Sequence, residues 1–195
     1  MVSKLIKIFL LNTLLFASEH PSGAYDHGSS AGKSNWDISL TWNPFNYFEQ
    51  GQSYVVLGYG LTKRLDIHGY YSLTYDGSDN FYGGFSYQFL NKKFLDLSTA
   101  AGIRIFSNNS NLNLFFPQLM YTVKLSEIYR VGGSIVNIND KAKSIGVSND
   151  IFIMVKIYEN IKYKIDITAG VFKPVLWEPN NGEWYPTYSL DLKIK

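Results

Sequence analysis

Asp66 and His68 are the two residues of this sequence whose types and spacing most suggest chemistry. They stand two apart within the stretch YGLTKRLDIHGYYSLTY, residues 59–75, where apolar and polar side chains alternate. Residues two apart on a strand share one face, and a carboxylate beside an imidazole can activate water for hydrolysis. The same pair can also be a simple ion pair in a polar wall, which is how we interpret it. The strand that carries them, and what its two faces meet, therefore decides their role.

The other histidines, His20 and His27, lie with Glu19 and Asp26 in the segment EHPSGAYDHGSSAGKS, residues 19–34. These residue types can ligate a metal ion, but the segment is rich in Gly and Ser and has no hydrophobic periodicity. Such a composition predicts a flexible chain that does not preorganise ligands. We therefore predict no metal site and no cofactor. The absence of cysteine excludes disulfides, thiolate metal sites and a cysteine nucleophile.

The overall composition is poor in charge for a soluble domain. The chain has 195 residues, of which 17% are charged and 16% are aromatic, whereas roughly 25% of residues are charged in ordinary soluble domains. The net charge is only +2, and basic residues form nothing larger than adjacent pairs. We therefore do not expect a nucleic-acid partner.

The beginning of the chain has the order of a secretory signal peptide. Lys4 and Lys7 precede an apolar run from Ile8 to Ala17, and the small residue Ser18 follows. This run is shorter than the ~20 apolar residues that a membrane-spanning helix needs. We predict three segments, namely a signal peptide over 1–18, a flexible N-terminus over 19–34 and one folded domain over 35–195.

From Asn35 onward, apolar residues recur at every second position, which is the period of a strand with one apolar side. Ten stretches show this pattern, with no convincing helix between them. They cover residues 36–42, 55–60, 65–75, 81–89, 95–105, 119–125, 129–135, 151–157, 163–171 and 188–194. The pattern predicts an all-β protein of ten strands, with eight as the alternative.

The segments between these stretches alternate in length along the whole chain. Short connections such as LTKR and NKK alternate with long ones such as SNNSNLN and KPVLWEPNNGEWYP. Barrels of bacterial outer membranes have this rhythm, because tight turns close one end and longer loops close the other. The rhythm favours an up-and-down antiparallel transmembrane β-barrel.

The composition of the polar side of the strands also favours an outer-membrane barrel. A secreted lipocalin-like barrel would bury its apolar side and would need a highly charged exterior. Here the polar side is mostly Gly, Ser, Thr, Ala and Tyr with a few charges of both signs, which suits a confined lumen. The apolar side is almost uncharged, as contact with lipid requires. We expect the lumen to be lined by Asp66, His68, Asp96, Arg104, Lys124, Arg130, Lys164, Asp166, Asp191 and Lys193.

The last long connection combines aromatic and acidic residues. Trp177, Trp184 and Tyr185 stand there with Glu178 and Glu183. We interpret these external-loop aromatics as part of a girdle folded over the barrel rim, with contact to sugars or to a partner surface as the alternative.

From Asn35 to Lys195 the chain resembles the small outer-membrane β-barrel proteins of Gram-negative bacteria in strand pattern and topology. The phrase YGLTKRLDIHG is also similar to a turn-and-strand phrase of outer-membrane channel proteins of the aromatic-degradation transporter type. The resemblance implies a barrel over 35–195 that lies among outer-membrane lipids and lipopolysaccharide, is inserted by the barrel-assembly machinery and is a monomer. One departure is the final stretch YSLDLKIK, since such barrels usually end on an aromatic residue.

Together these features predict a passive role in the outer membrane, either structural or as a narrow pore for small polar solutes, and no enzymatic activity. An adhesion or recognition barrel that acts through its external loops is the alternative. A hydrolase using Asp66 and His68, and a secreted lipocalin-like binder, rank below it.

Overall fold

The alternating stretches of the sequence form ten strands that close into one antiparallel barrel. The computed structural model describes residues 27–45, 50–73, 79–106, 112–140, 144–173 and 184–195. The strands are β1 Trp36–Phe45, β2 Gln50–Gly60, β3 Leu65–Leu73, β4 Asn80–Asn91, β5 Leu95–Phe106, β6 Leu112–Lys124, β7 Tyr129–Asp140, β8 Ser144–Glu159, β9 Tyr163–Lys173 and β10 Tyr185–Ile194. The predicted fold class and the strand number of ten are confirmed.

Each strand pairs with its neighbours in sequence, and β1 closes the barrel by pairing with β10. Trp36 lies opposite Tyr59 of β2 and opposite Ile194 of β10. Closure leaves no unpaired strand edge, so the backbone donors and acceptors of the wall are satisfied within it. No helix in the described part of the chain is long and apolar enough to cross a membrane.

The two sides of the strands differ in polarity, because the outer side is mainly apolar whereas the inner side carries charges and hydroxyls along with some buried apolar side chains such as Met120 and Phe152. Phe85 and Ile153 on the outer side are 57% and 55% exposed, whereas Asp66 and Arg104 on the inner side are 6% and 1% exposed. Exposed aliphatic and aromatic side chains continue around the outer surface, among them Leu57, Ile67, Ile103, Leu119, Ile135 and Ile167. A soluble barrel has the opposite arrangement, because water drives its apolar side chains inward. The orientation predicted from the composition of the polar side is confirmed.

Four tight turns lie at one end of the barrel, over residues 61–64, 92–94, 125–128 and 160–162. We call this the short-turn end and the other the loop end; β1 begins and β10 finishes at the short-turn end. At the loop end, strand pairing continues further than predicted, to Phe45↔Gln50 and Asp140↔Ser144. The connections 46–49 and 141–143 are consequently short, so the predicted strict alternation of short and long connections is wrong at these two places.

β6 also differs from its predicted extent, because it begins at Leu112 and contains a bulge. The pairing with β7 shifts between Phe115 and Gln118, where Pro117 cannot donate a hydrogen bond to the ladder. Phe116 and Pro117 both lie on the outer side, which brings Phe115 and Gln118 to the lumen although they are three apart. This break in the period of two hid the first half of the strand from sequence analysis.

Residues 27–35 form a segment that we call the strap, which precedes β1 and lies inside the barrel. Ala31 is 3% exposed and its backbone N–H donates to Asp66. The segment 19–34 was predicted to be flexible, and the structure differs from that prediction over residues 27–34, which are held by hydrogen bonds to the wall. The rest of that segment, the predicted signal peptide over 1–18, and the possible metal ligands Glu19, His20 and Asp26 lie outside the described residues.

Candidate functional site

The lumen is the candidate site, and its wall is formed by the polar sides of the ten strands. All ten residues predicted to line it have their side chains on this inner side. Asp66, His68, Asp96, Arg104 and Asp166 are buried there, and Lys124, Arg130, Lys164, Asp191 and Lys193 are partly exposed. The chemistry of the lumen therefore depends on which of these groups contact one another.

Arg130, Lys164 and Asp166 form an ion cluster near the short-turn end. Arg130 Nη2 donates to Asp166 Oδ1, and Lys164 Nζ lies 2.9 Å from Asp166 Oδ2. Lys164 and Asp166 face the same way because they are two apart on β9, and Arg130 reaches them from the start of β7. One carboxylate thus serves two cations, which leaves the cluster with a net positive charge.

Other carboxylates of the lumen are also engaged. Lys124 Nζ lies 2.8 Å from Asp96 Oδ1, and the Lys193 ammonium lies 3.6 Å from Asp37 Oδ2. Asp191 accepts hydrogen bonds from the hydroxyls of Thr168 and Ser189. These three carboxylates therefore balance charge or order the wall locally, as expected for ion pairs and hydrogen bonds in a confined polar interior.

A group of aromatic side chains, which we call the aromatic cluster, occupies the side of the lumen formed by β2 to β6. Tyr70 stacks on Tyr82 with ring centres 5.1 Å apart, and Tyr54 meets Tyr70 edge-on at 5.5 Å. Phe115 lies 5.2 Å from Tyr82, and the Arg104 guanidinium lies 5.0 Å from the Phe115 ring centre. These bulky rings narrow the lumen on this side.

Tyr82 is the centre of the aromatic cluster because it contacts both its rings and its polar neighbours. Its hydroxyl accepts a hydrogen bond from Gln118 Nε2 at 2.8 Å and lies 3.1 Å from His68 Nε2. Gly102 lies directly against the Tyr82 ring, where an added Cβ would overlap ring atoms. The position of the ring thus depends on a residue without a side chain across the strand pair.

Small hydroxyl-bearing side chains cover the other side of the lumen. Thr41, Ser148, Thr168, Thr187 and Ser189 are all buried, on β1, β8, β9 and β10. They project far less volume into the lumen than the tyrosines opposite, and they present both donors and acceptors. Phe152 and Met154 of β8 and Phe172 of β9 are also buried on this side, so it combines hydroxyl groups with a few large apolar side chains.

Basic residues surround the opening at the short-turn end. An open depression of about 630 Å³, which we call the vestibule, is lined by Lys93, Lys124, Arg130, Lys156 and Lys164 together with Glu127 and Glu159. A smaller cavity of about 110 Å³ lies further in. Arg130 and Lys164 line both spaces, so they stand at the boundary between the vestibule and the interior.

The external-loop aromatics are only partly described. Trp177 lies outside the described residues. Trp184 is 46% exposed just before β10, and Tyr185 begins that strand with its ring 5.9 Å from Phe172. These two therefore lie at the rim of the loop end.

The strap and the aromatic cluster were not among the predicted site residues. Tyr70 and Tyr82 could have been identified, because each stands on the polar side of its strand, where a large ring must point into the lumen. The strap carries no such signal, since a Gly- and Ser-rich segment has the same composition whether it is free or bound.

Comparison with known proteins shows what this barrel is similar to. No family model and no curated protein matches the chain. The KdgM porin in complex with disordered oligogalacturonate is similar in structure, with a TM-score of 0.51, 10% sequence identity, and coverage of 83% of this chain and 98% of that chain. The KdgM porin by itself gives a TM-score of 0.50 with the same identity and coverage. For the NanC porin the TM-score is 0.45 at 7% identity, covering 82% of this chain and 99% of that chain. At 10% identity, the two KdgM structures show a shared barrel fold and nothing finer.

Proposed function

We propose that this protein is an outer-membrane barrel that serves as a narrow passive pore for small polar solutes. The observation that carries the proposal is the inverted polarity of the barrel, with an apolar outer surface around a lumen lined mainly by polar and charged side chains. An interior of this kind lowers the barrier to polar solutes, while the outer surface suits lipid.

The outer surface supports the membrane part of the proposal. Exposed aromatic residues lie around the short-turn end, including Trp36, Phe94, Tyr129 and Tyr163. Aromatic girdles of this type mark the boundary between lipid and water in outer-membrane barrels. The partners we propose are outer-membrane lipids and lipopolysaccharide on the apolar surface and the barrel-assembly machinery, with a monomer as the functional unit.

The hydroxyl-covered side supports the pore part of the proposal. The hydroxyl groups of these strands, those of Thr41, Ser148, Thr168, Thr187 and Ser189, are uncharged, so a solute that passes them meets hydrogen-bonding partners without a strong electrostatic trap. The charged residues lie mainly toward the short-turn end, where they set the ion preference. The likeness of YGLTKRLDIHG to channels of the aromatic-degradation transporter type stays an interpretation of that stretch alone.

A passive role is also favoured by the contacts of Asp66 and His68. Asp66 binds the strap and His68 contacts Tyr82, so each side chain of the candidate dyad has a structural partner. A hydrolase would need the carboxylate to orient the imidazole toward a water molecule.

Purified protein in planar bilayers tests the pore, and membrane fractionation tests the location. We expect small, steady conductance steps in KCl, recovery of the protein with outer membranes, and a shift in gel mobility on heating. A protein that fractionates with the soluble proteins contradicts the membrane assignment. Silent bilayers containing folded protein contradict a pore that is open under these conditions.

A structural or adhesive barrel is the second candidate, and the filled aromatic side of the lumen favours it. Trp184, exposed at the loop-end rim, is the described residue best placed to contact an external partner. This candidate predicts silent bilayers with an intact fold, so the same experiment separates it from the pore.

A further inference from the structure

The strap crosses the lumen from one wall to the opposite one. It starts from β1, and its far end reaches β5 and β6, which lie half-way around the ten-stranded barrel. Gly32, with φ of 81°, and Ser34, with φ of 64°, turn the chain sharply inward just before β1. The Ser34 N–H donates to the carbonyl of Gly60 at 2.7 Å, which fixes this bend at the short-turn end.

The middle of the strap is held by Asp66 of β3 and Lys193 of β10. Asp66 accepts hydrogen bonds from the Ser30 hydroxyl at 2.8 Å and from the Ala31 N–H at 2.9 Å. Lys193 Nζ donates to the Ser30 carbonyl at 3.1 Å. The strap is therefore held by hydrogen bonds to β3 and β10, which lie on either side of the neighbouring strands β1 and β2.

The far end of the strap is held by β5 and β6. The Ser29 hydroxyl donates to Asp96 Oδ2 at 2.6 Å, and the Gly28 N–H donates to Thr122 Oγ1 at 3.0 Å. The Ser98 hydroxyl donates to the Gly28 carbonyl at 2.7 Å. Gly28 lies so close to the wall that an added Cβ would stand 2.8 Å from Tyr121 Cα, so only glycine fits.

Part of the cross-section beside the strap is also occupied. The ion cluster of Arg130, Lys164 and Asp166 projects from β7 and β9 toward the strap. Between them remains the cavity of about 110 Å³, whose lining includes Ser29 and Ala31 of the strap and Asp166 and Met154 of the wall. The strap lines this interior space, and Arg130 and Lys164 of the ion cluster stand between it and the vestibule.

We propose that the strap is a plug that closes the lumen at the short-turn end, and that its release opens the pore. The proposal rests on the proposed pore function and adds the element that regulates it. The strap is bound through serine hydroxyls and backbone amides, whose hydrogen bonds water can replace, and Ala31 is its main buried apolar side chain. A segment held in this way separates from a wall more readily than one anchored by apolar packing.

A reversible cross-link tests the plug in the full-length chain, which contains no native cysteine. In S29C/D96C the new thiols replace a hydrogen-bonded pair of strap and wall, so that oxidation locks the strap in place. The matched control is S134C/D150C, which replaces a hydrogen-bonded serine and aspartate that both belong to the wall. We expect oxidation to abolish the conductance of S29C/D96C and reductant to restore it, while the control conducts equally in both states.

A release variant gives the opposite prediction. Gly28→Val cannot keep the far end of the strap against Tyr121 and Thr122, so we expect higher conductance than in the unmodified protein. Gly83→Val is the control, because no atom lies within 4 Å of a Cβ added at Gly83. Heat-dependent gel mobility verifies that each variant folds. If Gly28→Val does not fold, the conductance of S29C/D96C tests the plug by itself.

Different experimental results would overturn the plug and the pore. Equal conductance of S29C/D96C in its oxidised and reduced states overturns the plug and leaves the pore standing. Silence of every folded variant, including reduced S29C/D96C and Gly28→Val, overturns the pore and the plug with it.

Discussion

Asp66 and His68 lie two residues apart on β3 and face the same lumen, yet they bind different parts of the molecule. Asp66 accepts hydrogen bonds from Ser30 and Ala31 of the strap. His68 Nε2 lies 3.1 Å from the Tyr82 hydroxyl, with the two rings edge-on at 5.2 Å. The two residues that first suggest hydrolysis therefore have separate structural roles. Asp66 holds the strap against the wall, and His68 contacts the aromatic cluster.

This division of roles predicts different effects of two neighbouring substitutions. In an Ala31→Cys background, we expect Asp66→Ala to accelerate labelling of the cysteine by a water-soluble maleimide, because the strap loses two hydrogen bonds to Asp66. His68→Ala is the matched control and should change the labelling rate much less. Equal acceleration by both substitutions contradicts the assignment of Asp66 as the anchor of the strap.

Gly102 should tolerate no side chain. We expect Gly102→Ala to lower the free energy of unfolding by about 1–3 kcal/mol, as overpacking does in other interiors, because the methyl group would overlap the Tyr82 ring, itself held between Tyr70 and Phe115. Urea titration of the protein in lipid vesicles measures the loss. Gly83→Ala, with open space around the new methyl group, should be nearly neutral; an equal loss there would falsify the packing explanation.

Removal of the shared carboxylate of the ion cluster should be costly. Asp166→Ala leaves Arg130 and Lys164 close together without their anion, and we expect a loss of about 3 kcal/mol or more, as for other buried ion pairs that lose one partner. Glu159→Ala is the control, since Glu159 pairs with Lys156 and Lys195 at an exposed position and should lose less than about 1 kcal/mol. Similar losses in both variants, measured by urea titration, would mean that the cluster behaves as an exposed one.

A charge on the outer surface tests which side meets lipid. Ile153, 55% exposed at the middle of β8, should lose about 2–4 kcal/mol of folding free energy in vesicles when changed to Arg, the cost of a charge near the bilayer midplane. Leu125→Arg is the control, because Leu125 lies in a tight turn and is 64% exposed, and its cost should be about 0–1 kcal/mol. If both variants fold equally well in vesicles, the outer surface does not lie in lipid.

The boundary between vestibule and interior should control ion preference. Replacing Arg130 and Lys164 together by Gln removes two positive charges there, so the reversal potential in a KCl gradient should move toward cation preference. Lys63→Gln, on an exposed turn, removes a charge away from the lumen and should leave the potential unchanged. An unchanged potential in the double variant means that ions do not pass these residues.

Part of the fold was predictable because alternation is a local property. On β3, Leu65, Ile67 and Tyr71 are apolar and Asp66 and His68 polar, which is sufficient to predict both the strand and its two sides. The same alternation indicates which charges face inward along each strand, whereas the ion preference of the pore stays a prediction. The break at Phe115 to Gln118 was not predictable from alternation, because a bulge removes the period on which the prediction depends.

By itself, the sequence determined the class of the protein: ten strands with one apolar and one polar side, and a polar side too poorly charged to face bulk water. Only the tertiary structure decided which inner groups meet and what fills the lumen. The contact of Ser29 with Asp96 joins residues 67 positions apart, and that of Lys193 with Ser30 joins residues 163 apart. Such contacts exist only once β1 has paired with β10 and the strand order around the barrel is complete. A segment as plain in composition as the strap therefore acquires its role from the closed wall around it.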